Sequence, residues 1–547
     1  MEKRLLLAIV LSFLVLVLWQ LLFVKKQPQQ PAEELQAELE KKPETVPLEK
    51  IIPLPEKETP LQEEKYPPVS EKEERQIPIQ TSLYHAVLSN RGGILKSWRL
   101  IKHKDENKDD LELISVRASE LKVYPFSLRT EDPAFDEMAN GAYYKASKLS
   151  ADLEDGQKGE IRFEYADGKG NSIEKIFTFY GGKYDFDTRI IVKKNSREIE
   201  PRILWGPGFS NPSPVEQRQR VGRAQGMAAL VAGKAYRIDE RKYKPEQSVF
   251  NFAQWAAYEN TYFTAIFLLS PLKNNAEFVK ETGEKNIDFF LLVSAPQRVY
   301  IGPKDLDVLR DFGNESKKII NFGFFGIIAE ILLRAMKLIH RGIPNWGLAI
   351  IILTLITKII FFPLTYSSTR SMAKMQEIQP KLKSLRAKYK KAKQDIAQRR
   401  QMNEEMMKLY KEHRINPAGG CLPMIIQLPI FFGFFQILRI AIEFRQSPFI
   451  FWIKDLSVKD PYIVTPILMG ITQYLSQKIT PTSADPTQQR MMLIMPVIFL
   501  FAFLSFPSGL VLYWLTQNVL QIAQQLIMNR SMKKKREIHG QRKKRKS

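Results

Sequence analysis

A single basic residue, Lys358, interrupts the apolar run LAIIILTLITKIIFFPLT at residues 348–365. In a helix it lies roughly 12 Å along the axis from Tyr366, eight residues further on. The other long apolar runs contain no acidic residue that could pair with it, and a lysine in lipid costs about 2.5 kcal/mol or more. The lysine could snorkel to the interface, although its stem reaches only part of the way. We therefore expect Lys358 to face a wet cavity, with Thr354 one turn away on the same face.

Amide side chains recur on the other apolar segments. Helical spacing i, i+4 and i+7 relates Gln517, Gln521 and Gln524 near the carboxyl terminus. Asn518 lies beside them in the sequence, and Gln427 belongs to an earlier apolar segment. For any one glutamine, a hydrogen bond between helices is the simplest explanation. Amides from several helices around one lysine favour a shared hydrophilic pocket instead. Because such a pocket has no counter-charge of its own, it could attract an acidic group on a substrate.

The sequence excludes several kinds of catalytic chemistry. It contains no Gly-x-x-x-x-Gly-Lys-Ser/Thr run for a nucleotide-driven motor and no His-Glu-x-x-His for a zinc protease. None of its five histidines lies in a long apolar run, so an intramembrane serine hydrolase would lack its base. Its one cysteine excludes a disulfide scaffold and a multi-thiolate metal site. We expect a protein that is not an enzyme and that has no metal and no cofactor.

The apolar segments predict six transmembrane helices. Residues 5–24 contain no charge over 20 positions, enough to cross ~30 Å of hydrocarbon, and two lysines rather than small residues follow them. We interpret this segment as an uncleaved anchor (domain 1–24) with Lys3 and Arg4 in the cytoplasm. The other predicted spans are approximately 345–365, 422–442, 462–478, 491–506 and 509–528.

The formal net charge of +23 is concentrated in two segments. Residues 366–421 and residues 529–547 each carry a net charge of +9, whereas residues 443–461 are neutral. With the amino terminus inside, both basic segments fall in the cytoplasm, as the positive-inside rule requires. Residues 370–415 predict a helical hairpin with a methionine-rich stripe, and residues 531–547 a basic tail. Ribosomal RNA or anionic lipid headgroups are possible partners of these segments, through Arg399, Arg400, Lys533, Lys534, Lys535, Arg536, Lys543, Lys544 and Arg545.

Between the first two spans the composition changes twice. Residues 25–80 contain ten prolines among Glu, Lys and Gln, which is typical of a disordered linker. Residues 81–315 alternate apolar and polar side chains between Gly/Asn/Asp turns, which predicts an antiparallel β-sandwich. Residues 322–341 then follow helical spacing with a charged face opposite an apolar one. We expect an amphipathic helix in the membrane interface rather than one packed on the sandwich.

Four runs carry a dense family resemblance: SMAKMQEIQPKL (371–382), NPAGGCLPMIIQLPIF (416–431), DPYIVTPILMGITQYLSQK (460–478) and MPVIFLFAFLSFPSGLVLYW (495–514). They resemble the YidC/Oxa/Alb family of membrane protein insertases. The predicted sandwich and the motif Gly302-Pro303-Lys304 match its Gram-negative form, which has a large periplasmic super-sandwich domain. The resemblance implies an insertase core at 345–530, formed by five of the six transmembrane helices.

The resemblance also implies a function. It implies an ATP-independent insertase and chaperone that places nascent proteins in the bacterial inner membrane, alone or with the Sec translocon, after receiving them from ribosomes. Both termini would be cytoplasmic and the large domain periplasmic. No small-molecule substrate is expected.

By motif position, Lys358 occupies the place of a groove charge that is usually arginine in the family, and Thr354 that of a groove threonine. The hydrophilic groove would also include Gln427, Gln517, Asn518 and Gln521. A substrate's apolar segment would slide along Phe431, Met469, Tyr513 and Trp514.

Two other classes of function use the same features differently. A transporter or channel would use the polar cavity for a saturable flux of a small solute or ion, but it leaves the basic hairpin and tail unexplained. A structural anchor that displays the sandwich leaves the polar intramembrane residues unexplained. Insertion accounts for both sets of residues.

Overall fold

The computed structural model describes residues 67–210, 225–270, 274–283, 286–294, 296–389, 395–413, 415, 422–480 and 486–544. The predicted anchor at 5–24 and most of the predicted linker lie outside these residues. The chain divides into two compact units, one of residues Gln27–Ile320 and one of residues Met1–Lys26 with Asn321–Ser547.

The first unit is rich in short strands. They are β1 Gln76–Thr81, β2 Tyr84–Ser89, β3 Ile94–Lys104, β4 Asp110–Glu112, β5 Ser127–Arg129, β6 Lys145–Ala146, β7 Ala151–Leu153, β8 Lys158–Ala166, β9 Ser172–Tyr180, β10 Asp185–Lys194, β11 Arg197–Ile199, β12 Arg202–Trp205, β13 Gly226–Val231, β14 Lys234–Asp239, β15 Val249–Phe250, β16 Ala253–Glu259, β17 Phe263–Leu268, β18 Ala276–Thr282, β19 Ile287–Ser294 and β20 Arg298–Pro303. The α-helices among the described residues of this unit are α1 Val116–Leu121, α2 Pro133–Gly141 and α3 Leu306–Phe312.

The strands form three sheets. A ten-stranded sheet has the order β14-β13-β16-β17-β20-β10-β9-β8-β6, with β11 beside β10. Two five-stranded sheets have the orders β4-β3-β2-β1-β7 and β15-β18-β19-β12-β5. Burial alternates strictly along β9, as expected for a strand with one face in a core. Rings from different strands meet there, for example Phe179 of β9 and Phe186 of β10 at 4.9 Å between centroids.

The β-rich domain was predicted, but two details of the prediction were wrong. β1 begins at Gln76, inside the range assigned to the linker, because Ile77 and Ile79 alternate with polar residues and are fully buried. Pro78 made this stretch resemble the proline-rich segment before it. The domain is also not wholly antiparallel, since β1 pairs with β7 in parallel.

The second unit is helical. Its helices are α4 Gly326–Gly342, α5 Trp346–Ile360, α6 Phe362–Glu377, α7 Gln379–Lys388, α8 Ile396–Glu412, α9 Leu422–Ile440, α10 Val464–Ile479, α11 Pro486–Phe503 and α12 Ser508–Lys544. In the part of the chain that the structure describes, no single helix is both long and apolar enough to cross a bilayer. The pair α4 and α5, bent by 120°, meets both criteria when taken together.

Several helix limits differ from the prediction. The amphipathic helix begins at Gly326 rather than at 322, and its buried face packs against α9, where Gly433 lets Leu332 approach closely. α11 begins at Pro486, before the predicted 491. α12 continues to Lys544, so most of the segment assigned to a separate basic tail extends this helix. Pro507 separates α11 from α12, as the sequence indicated.

Candidate functional site

Two of the predicted groove residues, Lys358 and Gln521, contact each other in the helical unit. Lys358, near the end of α5, donates a hydrogen bond of 2.6 Å from Nζ to Oε1 of Gln521 on α12. Both side chains are partly buried. Among the described residues, the ammonium has no carboxylate within ion-pair distance, so its charge is met by an amide dipole. A substrate carboxylate would be a stronger acceptor than this amide.

Gln517, one helical turn before Gln521, extends the polar surface to α9. Its Nε2 donates to Oε1 of Gln427 at 3.1 Å. Gln427 in turn donates to the hydroxyl of Tyr513. The structure therefore brings together residues of α5, α9 and α12 that the sequence predicted to share one hydrophilic groove.

Two predicted groove residues make other contacts. Thr354 is fully buried, and its hydroxyl donates to the backbone oxygen of Ile350 at 2.6 Å, one turn earlier in the same helix. Asn518 donates to the backbone oxygen of Met469 at 3.2 Å. Asn518 thus faces α10, because it lies one residue from Gln517 and about 100° around the helix.

The residues predicted to contact a sliding substrate divide into two groups. Phe431 and Trp514 are partly exposed, and their rings meet edge to face at 5.0 Å. Phe499 and Phe503 of α11 complete this aromatic cluster. Met469 and Tyr513 are fully buried, with Tyr513 stacked on Phe434 at 4.3 Å. In this conformation both side chains pack inside the helical unit, and their contact with a substrate stays a prediction.

Sequence reasoning missed two polar contacts made by neighbours of the predicted groove residues. Gln473 of α10 accepts a hydrogen bond of 3.0 Å from Nε1 of Trp514. Thr365 of α6 accepts one of 2.9 Å from Nε2 of Gln524. Thr365 lies seven residues after Lys358, a helical spacing that could have identified it. Gln473 carried no comparable signal, because its partner is on another helix.

The predicted cytoplasmic hairpin packs on itself. Its buried cluster consists of Met375, Ile378, Leu382 and Ile415, with Met372, Met406, Leu409 and Tyr410 packed against it. Lys388 of α7 lies 2.8 Å from Glu405 of α8, and this hydrogen bond lowers the pKa of the Glu405 carboxyl. The methionine stripe is therefore mainly the interior of the hairpin.

The outer face of α8 is basic. Arg400 is exposed and Arg399 partly so, and both line a shallow depression with Ile396, Asn403, Glu404, Met407, Lys408 and Lys411. Arg400 also lies 3.2 Å from Glu404, one turn along. Lys533, Lys534, Lys535, Arg536, Lys543 and Lys544 belong to the last part of α12, where side chains lie outside the described residues, as does Arg545 altogether.

Metal ligands are not grouped in the described part of the chain. No set of three or more His, Cys, Asp or Glu side chains is placed there to hold an ion. The chemistry available at Lys358 and the amides near it is that of a cation and neutral hydrogen-bonding groups, which can attract and hold an anionic group.

Family models and named relatives match most of the chain. Residues 76–335 match the family model described as YidC periplasmic domain, and residues 338–535 match that described as 60Kd inner membrane protein. A protein of Citrifermentans bemidjiense named membrane protein insertase YidC is 38% identical, over 84% of this chain and 86% of its own. One of the same name from Syntrophus aciditrophicus is 37% identical over 97% of this chain and 100% of its own. A crystal structure titled as an active YidC insertase covers 84% of this chain and 94% of its own, at 21% identity and a TM-score of 0.35.

Proposed function

Since the chain belongs to the YidC family of membrane protein insertases, we propose that it inserts nascent proteins into the bacterial inner membrane and assists their folding there without ATP. The observation that carries the proposal is the contact between Lys358 and Gln521. This contact includes a partly buried positive charge that has only a neutral hydrogen-bonding partner among the described residues. Such a charge is costly in lipid unless water or a counter-charge accompanies it.

The mechanism lowers the cost of moving a polar tail across hydrocarbon. An acidic tail enters the groove, where the ammonium of Lys358 and the amides of Gln427, Gln517 and Gln521 replace part of its hydration. The apolar segment that follows leaves sideways past Phe431 and Trp514 into lipid, driven by its own transfer free energy. No nucleotide is needed, because partitioning supplies the free energy.

The membrane topology forms part of the proposal. Residues 5–24, α5, α9, α10, α11 and the first half of α12 would be the six spans, with both termini in the cytoplasm and the β-rich domain in the periplasm. The charge distribution supports this orientation, because both segments of net charge +9 would then be cytoplasmic.

The partners are proposed from chemistry and family. The basic face of α8, with Arg399 and Arg400, and the basic end of α12 would contact ribosomal RNA or anionic lipid headgroups. The Sec translocon would be a second partner for substrates with large exported domains. The electrostatic part of the contacts with both partners would weaken as the salt concentration rises.

The decisive experiment is reconstitution of the pure protein in liposomes without nucleotide. A short single-span protein with an acidic amino-terminal tail is added, and protease protection of the tail is measured. We expect protection with wild type and Lys358→Arg, less with Lys358→Ala and least with Lys358→Glu. Lys478→Ala is a matched control, because Lys478 is an exposed lysine near the end of α10. It should insert as wild type does.

Other outcomes separate the alternatives. Equal protection of the tail by wild type and Lys358→Glu would show that the charge of Lys358 takes no part in insertion. Protection no higher than with empty liposomes, together with a saturable solute flux, would favour a transporter that uses the same cavity.

A further inference from the structure

The loop between α9 and α10 exposes a group of apolar and aromatic side chains. We name residues 446–463 the aromatic loop. Phe451 is 83% exposed and Tyr462 69% exposed, and Ile450 and Ile463 are exposed as well. Trp452 lies between these rings, stacked on Phe451 at 6.0 Å and edge to face with Tyr462 at 6.4 Å. A patch of this kind in water would be unfavourable and marks a surface that contacts something else.

The aromatic loop is braced rather than loose. Asp460 is buried and accepts hydrogen bonds from Nε1 of Trp452 at 3.0 Å, from the backbone N–H of Tyr462 at 3.0 Å, and from both the backbone N–H and the hydroxyl of Thr465 at 2.8 and 2.7 Å. The backbone N–H of Ser508 also donates to Val458 at 2.7 Å. The exposed rings are therefore held in position by the fold.

The acidic side chains of the aromatic loop point inward and its basic side chains point outward. The loop contains two lysines and two aspartates. Both aspartates point inward: Asp460 is bonded as described, and Asp455 accepts from the backbone and hydroxyl of Ser457. Lys454 and Lys459 are exposed. The outer surface thus presents aromatic rings and positive charge, although the loop as a whole is neutral.

The patch is continuous with the apolar surface of the helical unit. Ile463 leads directly into α10, where Ile467, Leu468 and Ile471 are exposed in turn. On another side, Nδ2 of Asn345 at the start of α5 donates to the backbone oxygen of Phe449 at 3.1 Å. The loop therefore lies at the end of the helices that would meet the membrane surface opposite the basic segments.

We propose that the aromatic loop is an interfacial anchor. It inserts Phe451, Trp452 and Tyr462 into the headgroup region of the leaflet opposite the basic segments, and Lys454 and Lys459 contact phospholipid phosphates there. Aromatic rings favour this depth because one end of them is apolar and the other polar. Exposed lysines match the negative phosphates. A protein partner is the other possible occupant, but the continuity with the lipid-facing row of α10 favours lipid. The proposal rests on the membrane placement of the proposed function.

Spin labelling tests the depth of the loop. The single cysteine is first replaced, as Cys421→Ser, and a nitroxide is attached to the full chain at Phe451→Cys, Ile467→Cys or Leu149→Cys in turn. The protein is reconstituted in liposomes of phosphatidylethanolamine and phosphatidylglycerol. Collision rates with oxygen and with a water-soluble nickel chelate are then measured. Leu149 is the matched control, an exposed apolar residue of the β-rich unit.

We expect an oxygen-to-nickel collision ratio at 451 several-fold above that at 149 and below that at 467. A ratio at 451 equal to that at 149, with a high ratio at 467, would overturn the anchor and leave the membrane placement intact. Low ratios at both 451 and 467 would overturn the membrane placement as well. The two failures are therefore distinguishable.

A second variant tests the brace. Asp460→Ala removes the acceptor that holds Trp452 and Thr465, so the label at 451 should become more mobile and its depth ratio should fall. The label at 467 should keep its ratio, which shows that the chain remains folded and inserted. An unchanged ratio at 451 in Asp460→Ala would contradict a braced anchor.

Discussion

The side-chain ammonium of Lys175 lies 2.6 Å from the backbone oxygen of Gly92, in the interior of the β-rich unit. It also donates to the backbone oxygen of Phe126 at 2.7 Å. Lys175 is fully buried on the inward face of β9, a position otherwise occupied by apolar side chains. Burial lowers its pKa to about 7, so this group titrates near neutral pH rather than near pH 10.5.

The first prediction concerns the pH dependence of stability. Between about pH 7 and pH 10 the unfolded chain keeps the proton that folded Lys175 loses, so the free energy of unfolding rises with pH. Lys175→Met should flatten this slope by up to about 1.4 kcal/mol per pH unit. Denaturant unfolding followed by tryptophan fluorescence at pH 7, 8 and 9 measures it. The exposed control Lys148→Met should keep the wild-type slope; a flattened slope there would contradict the assignment to Lys175.

The second prediction concerns the acceptor of Lys358. Gln521→Glu places a carboxylate where the amide oxygen now lies 2.6 Å from the ammonium. An internal ion pair between Lys358 and the new carboxylate then competes with the acidic tail of the substrate. If this ion pair is more stable than the present contact by only ~1.4 kcal/mol, insertion falls about tenfold. Insertion of a neutral-tailed substrate is the control and should change little. Equal losses for acidic and neutral tails would instead indicate damage to the fold.

The third prediction concerns the ion pair between Lys337 of α4 and Glu443 after α9, which are 2.7 Å apart with side chains only 16% and 8% exposed. Glu443→Gln removes the charge of the carboxylate from this largely buried ion pair and should destabilise the protein by about 3–5 kcal/mol. The exposed pair of Arg334 and Glu330 is the control, where Glu330→Gln should cost about 0.5 kcal/mol or less. Unfolding in detergent compares the two, and similar costs would contradict the buried pair's role.

The fourth prediction concerns the cytoplasmic hairpin. Leu382 is buried in the cluster with Met375 and Ile378, so Leu382→Ala should cost about 2–5 kcal/mol of hairpin stability. The hairpin should then be cleaved faster by trypsin, while the β-rich unit stays resistant. Ile396→Ala is the matched control, because Ile396 is 80% exposed and its truncation creates no cavity. Faster cleavage of both variants alike would contradict the packing.

Several features were predictable because one periodicity defines them. Alternation predicted the β-rich domain, and an apolar run with one lysine predicted a charged side chain that is partly buried among polar neighbours. The range of β1 was missed because Pro78 resembles the linker composition although Ile77 and Ile79 are buried. The parallel pairing of β1 with β7 could not be predicted, since it joins segments about 70 residues apart through backbone hydrogen bonds.

The site was predicted less completely than the fold. Periodicity gives the face of a helix but not the neighbour on that face, so Gln517 and Asn518 were assigned together although they contact α9 and α10, respectively. Met469 and Tyr513 have side chains that suit either a core or a substrate surface. The structure packs Tyr513 on Phe434, a contact between two helices that periodicity along one helix does not specify. The exposed rings of the aromatic loop follow no periodicity, because its backbone is irregular.

The unbroken length of α12 has a mechanical consequence. Its 37 residues extend about 55 Å along the axis at 1.5 Å per residue. Gln517 and Gln521 lie in its first half, and the lysine-rich sequence lies at its end. Because consecutive backbone hydrogen bonds resist twisting, a torque applied at the basic end turns the groove amides about the same axis. A partner bound at the basic end would therefore be joined to the acceptor of Lys358 by one continuous helix, with no loop between them to absorb a rotation.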